Sequence, residues 1–116
     1  MRPLLHDTNI DNQALNAMSN FHSAVVDEVK SAIQANDVVV VGMKTNPVVT
    51  QARKMLNEKN ITFKYIEHGS YVSKWKERLA IKLWSGWPTF PQVFYKGLLI
   101  GGAADLKKYI DAGKLK

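Results

Sequence analysis

Residues 87–102 read Trp87-Pro88-Thr89-Phe90-Pro91-Gln92-Val93-Phe94-Tyr95-Lys96-Gly97-Leu98-Leu99-Ile100-Gly101-Gly102, and this stretch decides the fold. Gln92 to Tyr95 and Leu98 to Ile100 are short runs of strand-forming residues on either side of Lys96-Gly97, the pattern of a tight hairpin. The glycine pair closes the second strand. A helix is expected to follow from about Ala104 to Ala112, with Gly113 as its C-terminal stop.

Working back from the hairpin, the periodicity changes in a readable order. Val72, Trp75, Leu79 and Leu83 recur at helical spacing, and Thr62 to Ile66 has the β-branched and aromatic content of a strand. Before these, Asn46-Pro47 combines an N-cap residue with proline at the first helical position and leads into Val48, Val49, Ala52, Met55 and Leu56. Asn57 to Asn60 ends that helix. Val38 to Val41 is a continuous β-branched run, as in a strand covered on both faces. From Ser19, Phe21, Val25, Val29, Ala32 and Ile33 mark a first helix, closed by Asn36-Asp37. Residues 1–18 show little pattern and read as a mobile N-terminal arm, which leaves 19–116 as a single domain.

Composition frames what such a domain can do. The chain has 116 residues, an apolar fraction of 46% and no cysteine. That length supports one modest core. No apolar run approaches the roughly 18 residues of a membrane span, and the N-terminus has neither a secretory h-region nor the acid-poor composition of a transit peptide. The expected setting is the cytoplasm, with no membrane partner. A net charge of +6 and a pI near 9.6 favour acidic partners, although they also serve solubility alone. His6, His22 and His68 are scattered without ligand spacing, so no metal site is expected.

The order of helix, strand, helix, strand, helix, hairpin and helix resembles an α/β thioredoxin fold, a four-stranded mixed sheet flanked by helices with an extra N-terminal helix. The first two strands should be parallel with a right-handed crossover, and the hairpin should add an antiparallel pair. Within that fold the wording WPTFPQVFYKG followed by Gly101-Gly102 resembles the glutaredoxins, most closely their monothiol branch. The resemblance covers residues 25–113. It is specific in the C-terminal half and weak in the N-terminal half, where the defining cysteine motif is missing.

Glutaredoxins work through a thiolate at the N-terminus of the helix after the first strand, where backbone N–H groups lower its pKa. The resemblance puts Asn46 at that position. Pro47 matches the proline of the dithiol motif, Val48 replaces the usual aromatic residue or glycine, and Val49 stands where a second cysteine would be. Ala103 fills a further position that is often cysteine in the monothiol branch. The loop that monothiol members insert before their cysteine is also absent. Asn and Val at these places, rather than Ser or Ala, point to natural divergence. A carboxamide is neither nucleophile nor redox group. Asn46 is a strong N-cap, and its amide could also hydrogen-bond a tripeptide in the groove.

The family's glutathione-binding positions are better kept. Thr89, Phe90 and Pro91 match the segment whose proline is cis, which implies that the backbone of Phe90 pairs with an extended peptide. Gly101 and Gly102 imply close backbone approach at a helix start that holds the γ-glutamyl carboxylate, with Asp105 facing its amine. Asp105 also suits the first turn of a helix on electrostatic grounds alone. The family commonly has a second acid where this chain has Ala104. Arg78 and Lys82, four apart on one helix face, match positions that reach the glycyl carboxylate, although such a pair is by default a solvated charged face. Met43 occupies the family's lysine position, and Lys44, one residue on, is the cation that can reach an anion from there. Trp84 and Trp87 read as packing beneath the loop rather than as stacking platforms for nucleic acid.

These residues imply a redox-inactive glutaredoxin-like protein that binds glutathione, or a similar peptide, non-covalently. The alternative is a protein-interaction module of the same fold, linked to redox or iron–sulfur homeostasis, with the basic third helix as its docking face and an acidic protein as partner. A glutathione transferase-like activity would need a donor to activate bound glutathione, and no tuned acid or base is evident. Iron–sulfur cluster carriage ranks last, because glutathione alone would leave iron sites unfilled.

Overall fold

The computed structural model describes residues 4–70 and 72–115. A 3-10 turn at Asp7–Asn9 leads to α1 (Asn12–Asn20) and α2 (Ser23–Ala35), then β1 (Val38–Gly42), α3 (Pro47–Glu58), β2 (Lys64–Glu67), α4 (Trp75–Ser85), β3 (Gln92–Tyr95), β4 (Leu98–Gly101) and α5 (Ala103–Asp111). The four strands form one sheet in the order β2-β1-β3-β4. Strand β1 runs parallel to β2, with Val40 opposite Tyr65, and antiparallel to β3, with Val40 opposite Val93. The β3–β4 hairpin is antiparallel and carries an irregularity between Val93 and Phe94. This is the thioredoxin fold.

The continuous valine run of β1 is explained by two cores. Val38 and Val40 pack with Ala52 and Leu56 of α3 and Leu106 of α5, whereas Val39 and Val41 pack with Val29 of α2 and Ile81 of α4. Alternate side chains of a strand point to opposite faces, so a strand between two helical layers must be apolar at every position. All five β1 residues are buried.

Two features depart from the sequence reading. The segment with little pattern contains α1, capped where Asp11 Oδ2 accepts from the Gln13 N–H at 3.0 Å. The helix expected from Ser19 begins instead at Ser23, because His22 takes a left-handed conformation (φ 45°) that ends one helix and starts the next. The second departure concerns α4. Its large apolar stripe does not face the core: Trp75, Leu79 and Leu83 are exposed, Val72 lies before the helix and is exposed too, and the buried positions are Arg78, Ala80 and Ile81. Apolar residues occur on both sides of this helix, so spacing alone could not say which side packs.

Candidate functional site

The site is built from the C-terminal end of β1, the start of α3, the loop before β3 and the start of α5. Asn46 caps α3 as its sequence predicts. Its Oδ1 accepts from the N–H groups of Val48 at 2.9 Å and Val49 at 3.1 Å, with Pro47 opening the helix. The amide oxygen is thus committed to the helix. Met43 is buried at 6% exposure, which explains why an apolar residue stands there, while the neighbouring Lys44 is exposed. The backbone N–H of Lys44 donates to Gly69 O at 2.7 Å, tying the loop after β1 to the loop after β2.

On the opposite wall, the Phe90–Pro91 peptide bond is cis, and both residues are buried. Thr89 beside them is exposed. Gly101 has φ +118°, and a Cβ there would collide with the Asp105 carboxylate. Only glycine meets both conditions. Asp105 Oδ2 accepts from the Gly102 N–H at 3.0 Å, and among the described residues no side chain caps the other N–H groups of the first turn of α5. Asp105 is partly exposed and its Oδ1 makes no hydrogen bond among the described residues. Ala103, where the monothiol branch often has cysteine, is buried in the core.

Lys82 joins this group, its Nζ lying 5.6 Å from the centroid of the Phe90 ring. Arg78 does not. It is 8% exposed, and its Nη1 donates to the carbonyls of His68, at 3.0 Å, and of Ser73. The i, i+4 spacing with Lys82 is real, but the guanidinium turns inward onto the loop between β2 and α4, where the carbonyl of buried His68 gains a charge-assisted partner. This corrects the expectation of a solvent-facing cationic pair. It also removes Arg78 from the basic docking face expected of α4.

Trp84 packs on Phe94 of β3, with ring centroids 6.1 Å apart. The neighbouring tryptophan contributes differently: Gln92 Nε2 donates to Trp87 O at 3.1 Å, while Trp87 Nε1 and Gln92 Oε1 are buried without partners among the described residues. The histidines make contacts that sequence spacing could not give. His68 Nε2 lies 2.8 Å from Glu28 Oε1, forty positions away in the chain, and His22 Nδ1 lies 3.7 Å from Glu77 Oε1. Both are two-residue contacts, and among the described residues no group of three or more potential ligands could hold a metal. Among the described residues one titratable group is clearly displaced. Burial, then a hydrogen bond to Glu67 and its charge, push the Tyr65 hydroxyl up to about 12, against a smaller opposing influence from Arg53.

A helix-covered mixed sheet with a cis-proline facing a glycine-led helix start defines the thioredoxin class. The family model for glutaredoxin matches residues 38–100, more than half of the chain. The chain is also 50% identical over 100 residues to a glutaredoxin-like protein of Dictyostelium discoideum, covering 86% of this chain and 81% of that one. It belongs to the glutaredoxin family. Monothiol glutaredoxin-S17 of Arabidopsis thaliana is 34% identical over 98 residues, 78% of this chain but only 19% of that longer protein. Among solved structures, a buckwheat glutaredoxin in complex with glutathione superposes with a TM-score of 0.71 at 21% identity, over 83% of this chain and 87% of that one. At that identity the likeness speaks for the fold alone.

Proposed function

We propose that this chain is a cysteine-free glutaredoxin-like protein that binds glutathione, or a peptide of similar shape, non-covalently in the cytoplasm and takes no part in thiol–disulfide exchange. The observation that supports it best is the corner made by Gly101, Gly102 and Asp105 opposite the cis Phe90–Pro91 bond. On the family pattern the uncapped first turn of α5 receives the γ-glutamyl carboxylate, and Asp105 Oδ1 faces the ammonium group. The backbone of Phe90 pairs with the tripeptide. Lys82 and Lys44 are the cations for the glycyl carboxylate, with Thr89 at the rim. The buckwheat relative was solved with glutathione bound, which fits this reading. With no cysteine anywhere in the sequence, no protein thiolate can attack a disulfide or ligate iron.

Titration of the chain with glutathione, followed by amide NMR, tests the binding. Shifts should concentrate at Lys44, Phe90, Gly102 and Asp105 and weaken as salt is raised, because carboxylate–cation contacts are screened. No shifts at millimolar glutathione would sink the proposal. A companion test is Asn46→Cys, which places sulfur at the start of α3 where N–H groups should lower its pKa below about 8.5. That variant should form a mixed disulfide with glutathione if the groove is intact. A second reading, an interaction module of the same fold, is favoured by the exposed apolar residues of α4.

A further inference from the structure

The start of α3 presents hydrocarbon to the groove and leaves nothing there to hold an anion. Pro47 has no N–H, Asn46 Oδ1 accepts from Val48 and Val49, and Asn46 O accepts from Thr50 at 3.1 Å, so each N–H of the first turn has its acceptor. Pro47 and Val48 face solvent, Val48 at 45% exposure, while Val49 packs into the core. Thr45, just before the cap, is exposed and holds φ 60°. A β-branched residue in that left-handed region is strained, and strain of this kind collects at ligand sites.

The register of the sheet puts this wall beside the cis-proline. Val41 of β1 pairs with Gln92 of β3, so Gly42 runs alongside Pro91, and the chain from Met43 to Asn46 leaves the sheet next to Phe90. In the proposed binding mode the γ-glutamyl end of glutathione lies at the start of α5, its glycyl carboxylate at Lys82 and Lys44, and its middle residue against the Phe90 backbone. The cysteinyl side chain then has one wall left to face, the start of α3. The same placement underlies capture of glutathione by the Asn46→Cys variant.

We propose that the site selects glutathione S-conjugates, thioethers whose sulfur carries an apolar group. A free thiol gains little from this wall, because no N–H of the helix start is left to stabilise a thiolate. An alkyl group on the sulfur instead covers Pro47 and Val48 and is itself withdrawn from water. A thioether has no proton to lose and cannot enter disulfide exchange, so it is a ligand that a cysteine-free chain holds without reacting. Glutathione disulfide is the poorer occupant, since its second half would bring charged groups onto the same hydrocarbon. The proposal rests on the glutathione reading and adds to it the group borne on sulfur.

The test follows the full chain by NMR through titrations with glutathione and with its S-methyl, S-hexyl and S-carboxymethyl thioethers. Each methylene withdrawn from water tightens binding by up to about fourfold, and an open wall shields only part of a hexyl chain. S-hexylglutathione should therefore bind about tenfold more tightly than glutathione and move the Val48 methyl signals, with the S-methyl compound between them and the S-carboxymethyl compound no tighter than glutathione. The ratio of the hexyl to the glutathione affinity should fall to about twofold in Val48→Ser and rise above the parent's in Val48→Leu. Both substitutions change an exposed position, and effects of opposite sign cannot both come from unfolding. A ratio near one in the parent, a ratio indifferent to both substitutions, or hexyl-induced shifts at the Leu79 and Leu83 methyls in place of Val48 would overturn the proposal while glutathione binding stands. Failure of glutathione and every conjugate to bind at millimolar concentration would sink it together with the reading on which it rests.

Discussion

The two helix starts that border the candidate groove have answered the same electrostatic demand in opposite ways. At α3, Asn46 turns its own amide oxygen onto the Val48 and Val49 N–H groups and closes the helix end. At α5, the cap residue is Gly102, which has no side chain to offer, and Asp105 reaches back to satisfy the Gly102 N–H while the first turn stays open. One helix start is closed by a side chain of its own cap residue, whereas the other, the corner proposed to receive glutathione, is shaped by glycine backbone. The position at which the resemblance places the family's thiol and the corner proposed to bind glutathione therefore lie at different helix ends.

The largest effect should come from filling the open corner. Gly101→Val adds a side chain at φ +118° against the Asp105 carboxylate and should cost about 3 kcal/mol, read by urea denaturation, and abolish the glutathione-induced shifts. Unchanged stability would break the description of this corner as glycine-dependent. Next, Asp105→Asn keeps an oxygen able to accept from Gly102 but removes the charge, so glutathione affinity should fall by about tenfold with little change in melting temperature. Equal losses in both would mean that Asp105 acts only as a cap. At the closed end the signs reverse: Asn46→Ala should cost about 1 kcal/mol of stability, yet change glutathione affinity by less than about twofold. A larger loss of affinity would return Asn46 to the binding set.

The smallest effect lies beside α3, where Arg53 sits over the Tyr65 ring at 3.9 Å and the Tyr65 hydroxyl donates to Glu67 at 2.9 Å. Its pKa is raised from 10.0 to about 12 in the fold, so the neutral phenol is favoured there. The associated stability is fully present below pH 10 and is lost as pH rises from there through about 12. Because Tyr65 is only partly buried, the change is on the order of 1 kcal/mol after discounting for solvent screening. A Tyr65→Phe variant followed by alkaline denaturation should lose that slope.

What could be read from sequence was local. The hairpin of residues 87–102, the Asn46-Pro47 helix start and the doubly covered valine strand each declare themselves within a few neighbouring residues, and the structure has all three. The inward turn of Arg78 was not legible, because its acceptors belong to a loop whose path depends on the tertiary fold. Nor was the pairing of His68 with Glu28, which joins β2's end to α2 across the whole of β1 and α3. The outward face of α4 was hidden for another reason: Ile81 and Trp84 offer as good a buried side as Trp75, Leu79 and Leu83, and only the position of α2 chooses between them. Helix α1 had a visible cap in Asp11 but no strong apolar period behind it.

The backbone bridge from Lys44 to Gly69 carries a consequence of its own. It uses no side chain of either residue, so Lys44 can be substituted with the clasp in place, whereas Gly69, at φ +64° with Ser73 O in the way of a Cβ, must stay glycine. It also makes the Lys44 amide a clock for the mouth of the groove. That hydrogen can exchange with heavy water only when the two loops part, so its rate, measured in the free protein and with a ligand seated, would time the opening of the cleft without any label being attached.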